Sequence, residues 1–153
     1  MLLDSPENRI SVEKEFPALA NDPYFKITSP DDEKYNCIAW ACGINNIWYW
    51  PFPSIDGVVT WPITEKTKEI SSLIKLFEMK GFKLCEGYDF DPTLVKIALY
   101  VDSNNEFTHA ARQNRDGLWK SKLGQWFDII HGTPYTIENN IYGKAEYFMS
   151  AKF

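Results

Sequence analysis

From Tyr35 to Ile55 the chain carries no charged residue, so this stretch is expected to thread through the interior of whatever fold forms. Its first part, Tyr35-Asn36-Cys37-Ile38-Ala39-Trp40-Ala41-Cys42-Gly43, reads as a helix that is apolar on every side. Asn36 is a favoured N-cap, and Gly43 or the pair Asn45-Asn46 can end the helix. The second part, Ile47-Trp48-Tyr49-Trp50-Pro51-Phe52-Pro53, holds four aromatics and two prolines. The prolines forbid a regular helix, so the rings stand on a stiff extended loop. They serve as a lid over the core, as one wall of a substrate cleft, or as both.

Cys37 lies just inside the start of that helix. Backbone N–H groups and the helix dipole gather positive potential there, which predicts a lowered thiol pKa and a nucleophilic Cys37. Cys42 and Cys85 are expected as small core residues. Three cysteines without regular spacing and with no C-x-x-C pair give neither a disulfide framework nor a zinc site. No metal and no cofactor is expected.

The surrounding chain reads as a single domain, residues 1–153. Residues 1–34, with Pro6, Pro17, Pro23 and Pro30, read as an irregular N-terminal arm holding at most a short helix near Ser11 to Leu19. The core then runs from 35 to 153. Thr64 to Lys80 is predicted as an amphipathic helix, with Ile70, Leu73, Ile74 and Phe77 inward and Lys68, Ser72 and Lys75 outward, closed by Gly81. Strands are predicted at Phe82 to Cys85, Thr93 to Asp102, Phe107 to Gln113, Leu118 to Leu123 and Ala145 to Lys152. Helices first and strands later argue for an α+β fold, an N-terminal central helix packed on a C-terminal antiparallel sheet.

A cysteine nucleophile needs a base, and the chain has two histidines, His109 and His131. His109 lies mid-strand between small residues, and a strand is a rigid mount. His131 lies beside Gly132 in what reads as a loop. A third group must orient the imidazole. If Arg115-Asp116-Gly117 is a three-residue hairpin loop with Gly117 left-handed, Ser121 shares a face with His109. A two-residue Asp116-Gly117 loop puts Lys120 and Lys122 there instead. Asp128 and His131 are alternative orienting residues, or simply order their own loop. Arg112 and Lys122 are expected on the solvated face of the sheet.

The order of a cysteine at a helix start, a histidine on a later strand and a polar residue on the next, within Trp119-Lys120-Ser121-Lys122-Leu123-Gly124, resembles the papain-like cysteine peptidases and their smaller NlpC-like and CHAP-like relatives. The runs Tyr35 to Ala41, Thr108 to Arg112 and Ser121 to Gly124 also resemble a bacterial family to which no substrate attaches. The resemblance implies a papain-like fold in which Cys37 is the nucleophile, His109 the base and Ser121 the third member. Ser121 stands where those families carry Asn, Asp or His. No glutamine precedes Cys37 to build an oxyanion hole, so the Cys37 N–H with Tyr35 or Asn36 is expected to serve, and Trp40, Trp48 and Trp50 are candidates to line the substrate site.

The implied reaction is thiol-dependent hydrolysis or acyl transfer at an amide, whether peptide, peptidoglycan or glutamine side chain, so the expected partner is a protein or peptide-like substrate. The alternative is a non-catalytic binding or immunity-type module whose segment Ile47 to Phe52 docks another protein. A net charge of −5, with 16 Lys and Arg dispersed along the chain, argues against nucleic acid. No apolar run of about 18 residues predicts a membrane span, and the start Met1-Leu2-Leu3-Asp4-Ser5-Pro6 lacks the pattern of a signal peptide. A cytoplasmic location is expected, and signal-independent export as an effector is compatible with it.

Overall fold

The computed structural model describes residues 3–29, 36–42, 49–51, 61–64, 67–123 and 126–152. The elements are α1 (Pro6–Glu15), a 3-10 turn (Pro17–Asn21), β1 (Lys26–Ser29), α2 (Cys37–Ala41), α3 (Ile70–Met79), β2 (Lys83–Cys85), β3 (Leu94–Val101), β4 (Phe107–Gln113), β5 (Trp119–Lys122), β6 (Asp128–His131), a second 3-10 turn (Pro134–Ile137) and β7 (Lys144–Lys152). The strands form one antiparallel sheet in the order β1-β6-β5-β4-β3-β7-β2. The fold is α+β.

β3 is buried along almost its whole length because both faces of the sheet are covered. Ile97, Leu99 and Val101 pack with Ile38, Ala41, Leu73, Leu76 and Phe77 of the α2 and α3 layer. Ala98 and Tyr100 pack on the other side with Val12, Phe16, Leu19, Trp119 and Phe148. The residues expected to form an irregular arm therefore build the second layer. Ser5 caps α1 through a 3.2 Å bond from the Asn8 N–H, and Pro6 and Pro17 each open a helical turn, where proline's missing donor costs nothing. The Asp22 carboxylate then ties this layer to the end of β6, accepting from Gly132 N–H at 2.7 Å and Thr136 Oγ1 at 2.8 Å.

Three further expectations change. The helix predicted from Thr64 begins at Ile70, because Glu69 is extended and bridges Glu106. Ser72, predicted outward, is buried and hydrogen-bonds the Thr67 hydroxyl at 2.6 Å. His131 and Asp128 lie in a strand rather than a loop, and three residues apart they point to opposite faces.

The β4–β5 hairpin takes the three-residue form: Gly117 has φ +88°, Asn114 N–H bonds Leu118 O at 2.8 Å, and Arg112 pairs Lys120 while Gln113 pairs Trp119. On the other side of β4 the ladder with β3 steps from Tyr100↔His109 to Val101↔Phe107, so Thr108 is the extra residue of a bulge. That single insertion turns Phe107 and Ala110 toward the helical layer and His109 toward Tyr100.

Candidate active site

α2 packs against β4, and its first residue brings the thiol to the strand. Cys37 is 6 % exposed, and backbone N–H groups of Ala110, Ile38 and Cys37 itself face its sulfur. Asn36 fixes this end of the helix: its carbonyl receives the Trp40 N–H, while its side chain clamps the Tyr49 backbone, Nδ2 to Tyr49 O at 2.5 Å and Oδ1 from Tyr49 N–H at 3.0 Å. The tools of substrate contact expected of Asn36 are thus engaged in holding Tyr49 in place. Trp50 covers the core edge-on to Phe107 at 5.4 Å, and Trp40 is half-buried. Tyr35 and Trp48 lie outside the described residues.

His109 and Ser121 come together. His109 Nε2 lies 3.1 Å from Ser121 Oγ, as the three-residue hairpin requires. The same hydroxyl lies 2.8 Å from His131 Nε2, and His131 Nδ1 lies 2.8 Å from the carbonyl of Thr133. Asp128 takes no part in this row. It sits on the far face, 4.0 Å from Lys122 Nζ.

The His109 ring is clamped by aromatics, stacked on Tyr142 at 4.2 Å with an 11° interplanar angle and edge-on to Tyr100 at 5.1 Å. Tyr142 is set by a tight turn. Its N–H bonds Asn139 Oδ1 at 2.7 Å and its carbonyl receives the Thr108 hydroxyl from the bulge, while Gly143, at φ +74°, leaves no room for a Cβ beside Val101 O. His109 is fully buried, and its Nδ1 has no hydrogen-bond partner among the described residues.

Cys37 and His109 approach from different sides of β4, and no hydrogen bond joins them at rest. One residue links the halves: Ala110 follows His109 in β4 and its backbone N–H faces the sulfur. Tyr142 stacks on the imidazole, and burial, with a smaller contribution that a Cys37 thiolate would make, holds its hydroxyl well above the ordinary value.

A model of the DUF7689 family, described as a domain of unknown function, matches residues 26–150. The chain belongs to that family. No curated protein and no solved structure matches the chain. The match starts at the first residue of β1 and ends inside β7, so β1 to β6, most of β7 and the Cys37, His109, Ser121 and His131 positions fall within the DUF7689 domain, whereas α1 lies ahead of it.

The electrostatics of this DUF7689 domain reverse one expectation. Burial pushes the Cys37 thiol up to about 11, outweighing the three backbone N–H groups and the Lys122 cation that favour the thiolate. A five-residue helix with its end sealed inside the protein offers too little potential to offset lost hydration. Burial likewise holds His109 well below its ordinary value, with the nearby His131 adding to it, and holds His131 at about 4. At rest the thiol on one side of β4 and the imidazoles on the other are both neutral.

Lys122 was expected in solvent and is instead 0 % exposed, its ammonium donating to Trp126 O at 2.5 Å. Alternation places it on the α2 side of the sheet, opposite Ser121. Arg112 is also drawn inward, donating to Ala41 O at the end of α2 at 2.9 Å. The features missed in the sequence are thus Tyr142 and the burial of Lys122; His131, weighed as an alternative orienting residue, reaches His109 through Ser121 rather than directly. Only the Asn139–Gly143 turn signal gave any hint of Tyr142. Among the described residues no cluster of three or more His, Cys, Asp or Glu could hold a metal, and no helix is long and apolar enough to cross a membrane.

Proposed function

We propose that the protein is a thiol hydrolase or acyltransferase of papain-like architecture that acts on an amide of a peptide-like substrate, with Cys37 as nucleophile and His109 as base. One observation carries this reading. His109 presents a fully buried ring nitrogen with no partner among the described residues, its other nitrogen is held by Ser121, and the backbone N–H of the residue next to it in β4 faces the Cys37 sulfur. Buried polar atoms are almost always paired, so an imidazole held rigidly with one nitrogen left over suits a proton acceptor.

In the reaction the Cys37 S–H proton passes to His109 Nδ1 as sulfur bonds to the amide carbonyl carbon. The amine leaves with that proton, and water or an acceptor amine then attacks the thioester to release the acyl group. The Cys37 N–H is the nearest donor for the oxyanion. Because the two side chains are not hydrogen-bonded at rest and lie on different sides of β4, the reaction requires α2 and β4 to move relative to each other when substrate enters, so that the thiol comes within about 3 Å of Nδ1.

The second reading, a non-catalytic binding module, is favoured by the sealed thiol and its raised pKa. Incubation of the folded protein with a peptide carrying a thiol-reactive carbonyl electrophile separates the two. The enzyme reading expects mass-detected modification of Cys37 that slows at least about 100-fold in His109→Ala. Modification only after unfolding refutes it and leaves the binding module.

A further inference from the structure

We infer that His131 is a positioning residue: acting through Ser121, it fixes the tautomer of His109 so that Nδ1 carries a lone pair rather than a proton. The inference deepens the hydrolase reading and takes its chemical meaning from it, but it rests on its own geometry.

The row of hydrogen bonds has one consistent direction. A backbone carbonyl can only accept, so the 2.8 Å contact to Thr133 O puts the proton of His131 on Nδ1. His131 is neutral above pH of about 4, and its Nε2 is then a bare acceptor. The one hydroxyl proton of Ser121 must go to it across 2.8 Å. Ser121 Oγ, having spent its proton, can only accept from the other side, so the 3.1 Å contact to His109 is an Nε2–H donation. A neutral imidazole with its proton on Nε2 has none on Nδ1. The nitrogen left without a partner is therefore the basic one.

Without His131 this order fails. The Ser121 proton would be free to turn to His109 Nε2, and the ring would move its proton to Nδ1, where it could no longer accept from a thiol. The carboxamide or carboxylate usually expected behind such a histidine is here replaced by a hydroxyl whose polarity is set one residue further back. The pairing of Trp119 with His131 and of Ser121 with Ile129 holds the two in place on adjacent strands.

The two histidines of the chain make the test direct. In protein labelled with nitrogen-15 histidine, long-range proton–nitrogen correlation at pH 7 reports which ring nitrogen is protonated in each. The expected spectrum contains one Nδ1–H tautomer, His131, and one Nε2–H tautomer, His109. In His131→Phe the His109 signal should shift to Nδ1–H or to a mixture. In His131→Gln, whose amide can accept from Ser121 and donate to Thr133, it should stay Nε2–H. Two identical tautomers in the wild type overturn the inference, as does an unchanged His109 in a folded His131→Phe. Should that variant not fold, the wild-type spectrum still decides. None of these readouts needs turnover, so a correct tautomer pair combined with an unreactive Cys37 would remove the hydrolase reading alone.

Discussion

The neutral state of Cys37 has a thermodynamic signature that can be measured without any substrate. Burial raises its pKa from 9.0 to about 11, so the folded protein holds the proton more tightly than the unfolded chain. Stability from this source is fully present below pH of about 9 and is lost as pH rises toward about 11. At pH 10 the unfolded thiol is mostly ionised and the folded one is not, which costs about 1.4 kcal/mol relative to pH 8, with a limit of about 3 kcal/mol above pH 11. Cys42, Tyr100 and Tyr142 are also raised by burial and destabilise in the same direction. They are common to the wild type and a Cys37→Ala variant, so a double difference isolates Cys37. Urea unfolding of both proteins at pH 8 and pH 10 should find the wild type losing about 1.4 kcal/mol more than the variant. A double difference near zero would refute a desolvated thiol. One of opposite sign would mean that the thiolate is the resting species after all.

Other perturbations test the supports of the site. Lys122→Met should destabilise by about 3 to 5 kcal/mol by leaving Asp128 buried without its cation, and Lys122→Met with Asp128→Leu should recover most of the loss in a urea melt. Asn36→Ala removes both bonds to the Tyr49 backbone and should cost about 2 to 4 kcal/mol, with the Tyr49 amide exchanging with deuterium far ahead of the β3 amides. On the acid side, His131 is held at about 4 against an ordinary 6.5, because burial outweighs the Thr133 carbonyl and the Asp22 charge that favour protonation. Its contribution is present above pH of about 6.5 and is lost as pH falls to about 4, by about 3 kcal/mol, and His131→Gln should lack that part of the acid transition.

The sheet was legible where one periodicity ruled a whole segment. β3, β4 and β7 announced themselves by β-branched and aromatic runs, and Gly117 made the hairpin register a choice between two options, one of which brings Ser121 to His109. The N-terminal layer was not legible, because α1 buries Val12 alone and so lacks an apolar stripe, and because Pro6 and Pro17 act as helix starters rather than breakers. The bulge at Thr108 left no trace in a run that alternates acceptably without it. Lys122 could not be placed from sequence either: an ammonium is buried only when Asp128 and the Trp126 carbonyl are brought to it by a neighbouring strand. The sign of the Cys37 shift depended on the same kind of long-range fact, the depth of burial in the layer around α2, which outweighs the Ala110 N–H that favours the thiolate.

These shifts together constrain how the proposed chemistry can work. With burial raising the Cys37 thiol to about 11 and holding the His109 imidazole below its ordinary 6.5, both shifts oppose moving the proton from Cys37 to His109 ahead of any bond formation. A preformed thiolate–imidazolium pair is therefore not the resting state. Proton transfer has to accompany attack on the carbonyl, when the negative charge moves off sulfur onto an oxygen that backbone N–H groups can stabilise. Such a site gains from a base whose lone pair is already aimed, because no time or energy is then spent choosing the tautomer. The row from Thr133 through His131 and Ser121 does that without placing any charge behind His109. A carboxylate in that position would pull His109 upward and favour the ion pair; the neutral hydroxyl leaves the imidazole weakly basic. The neutral Ser121 hydroxyl behind His109 and the absence of a resting thiolate are thus two consequences of one uncharged, buried arrangement.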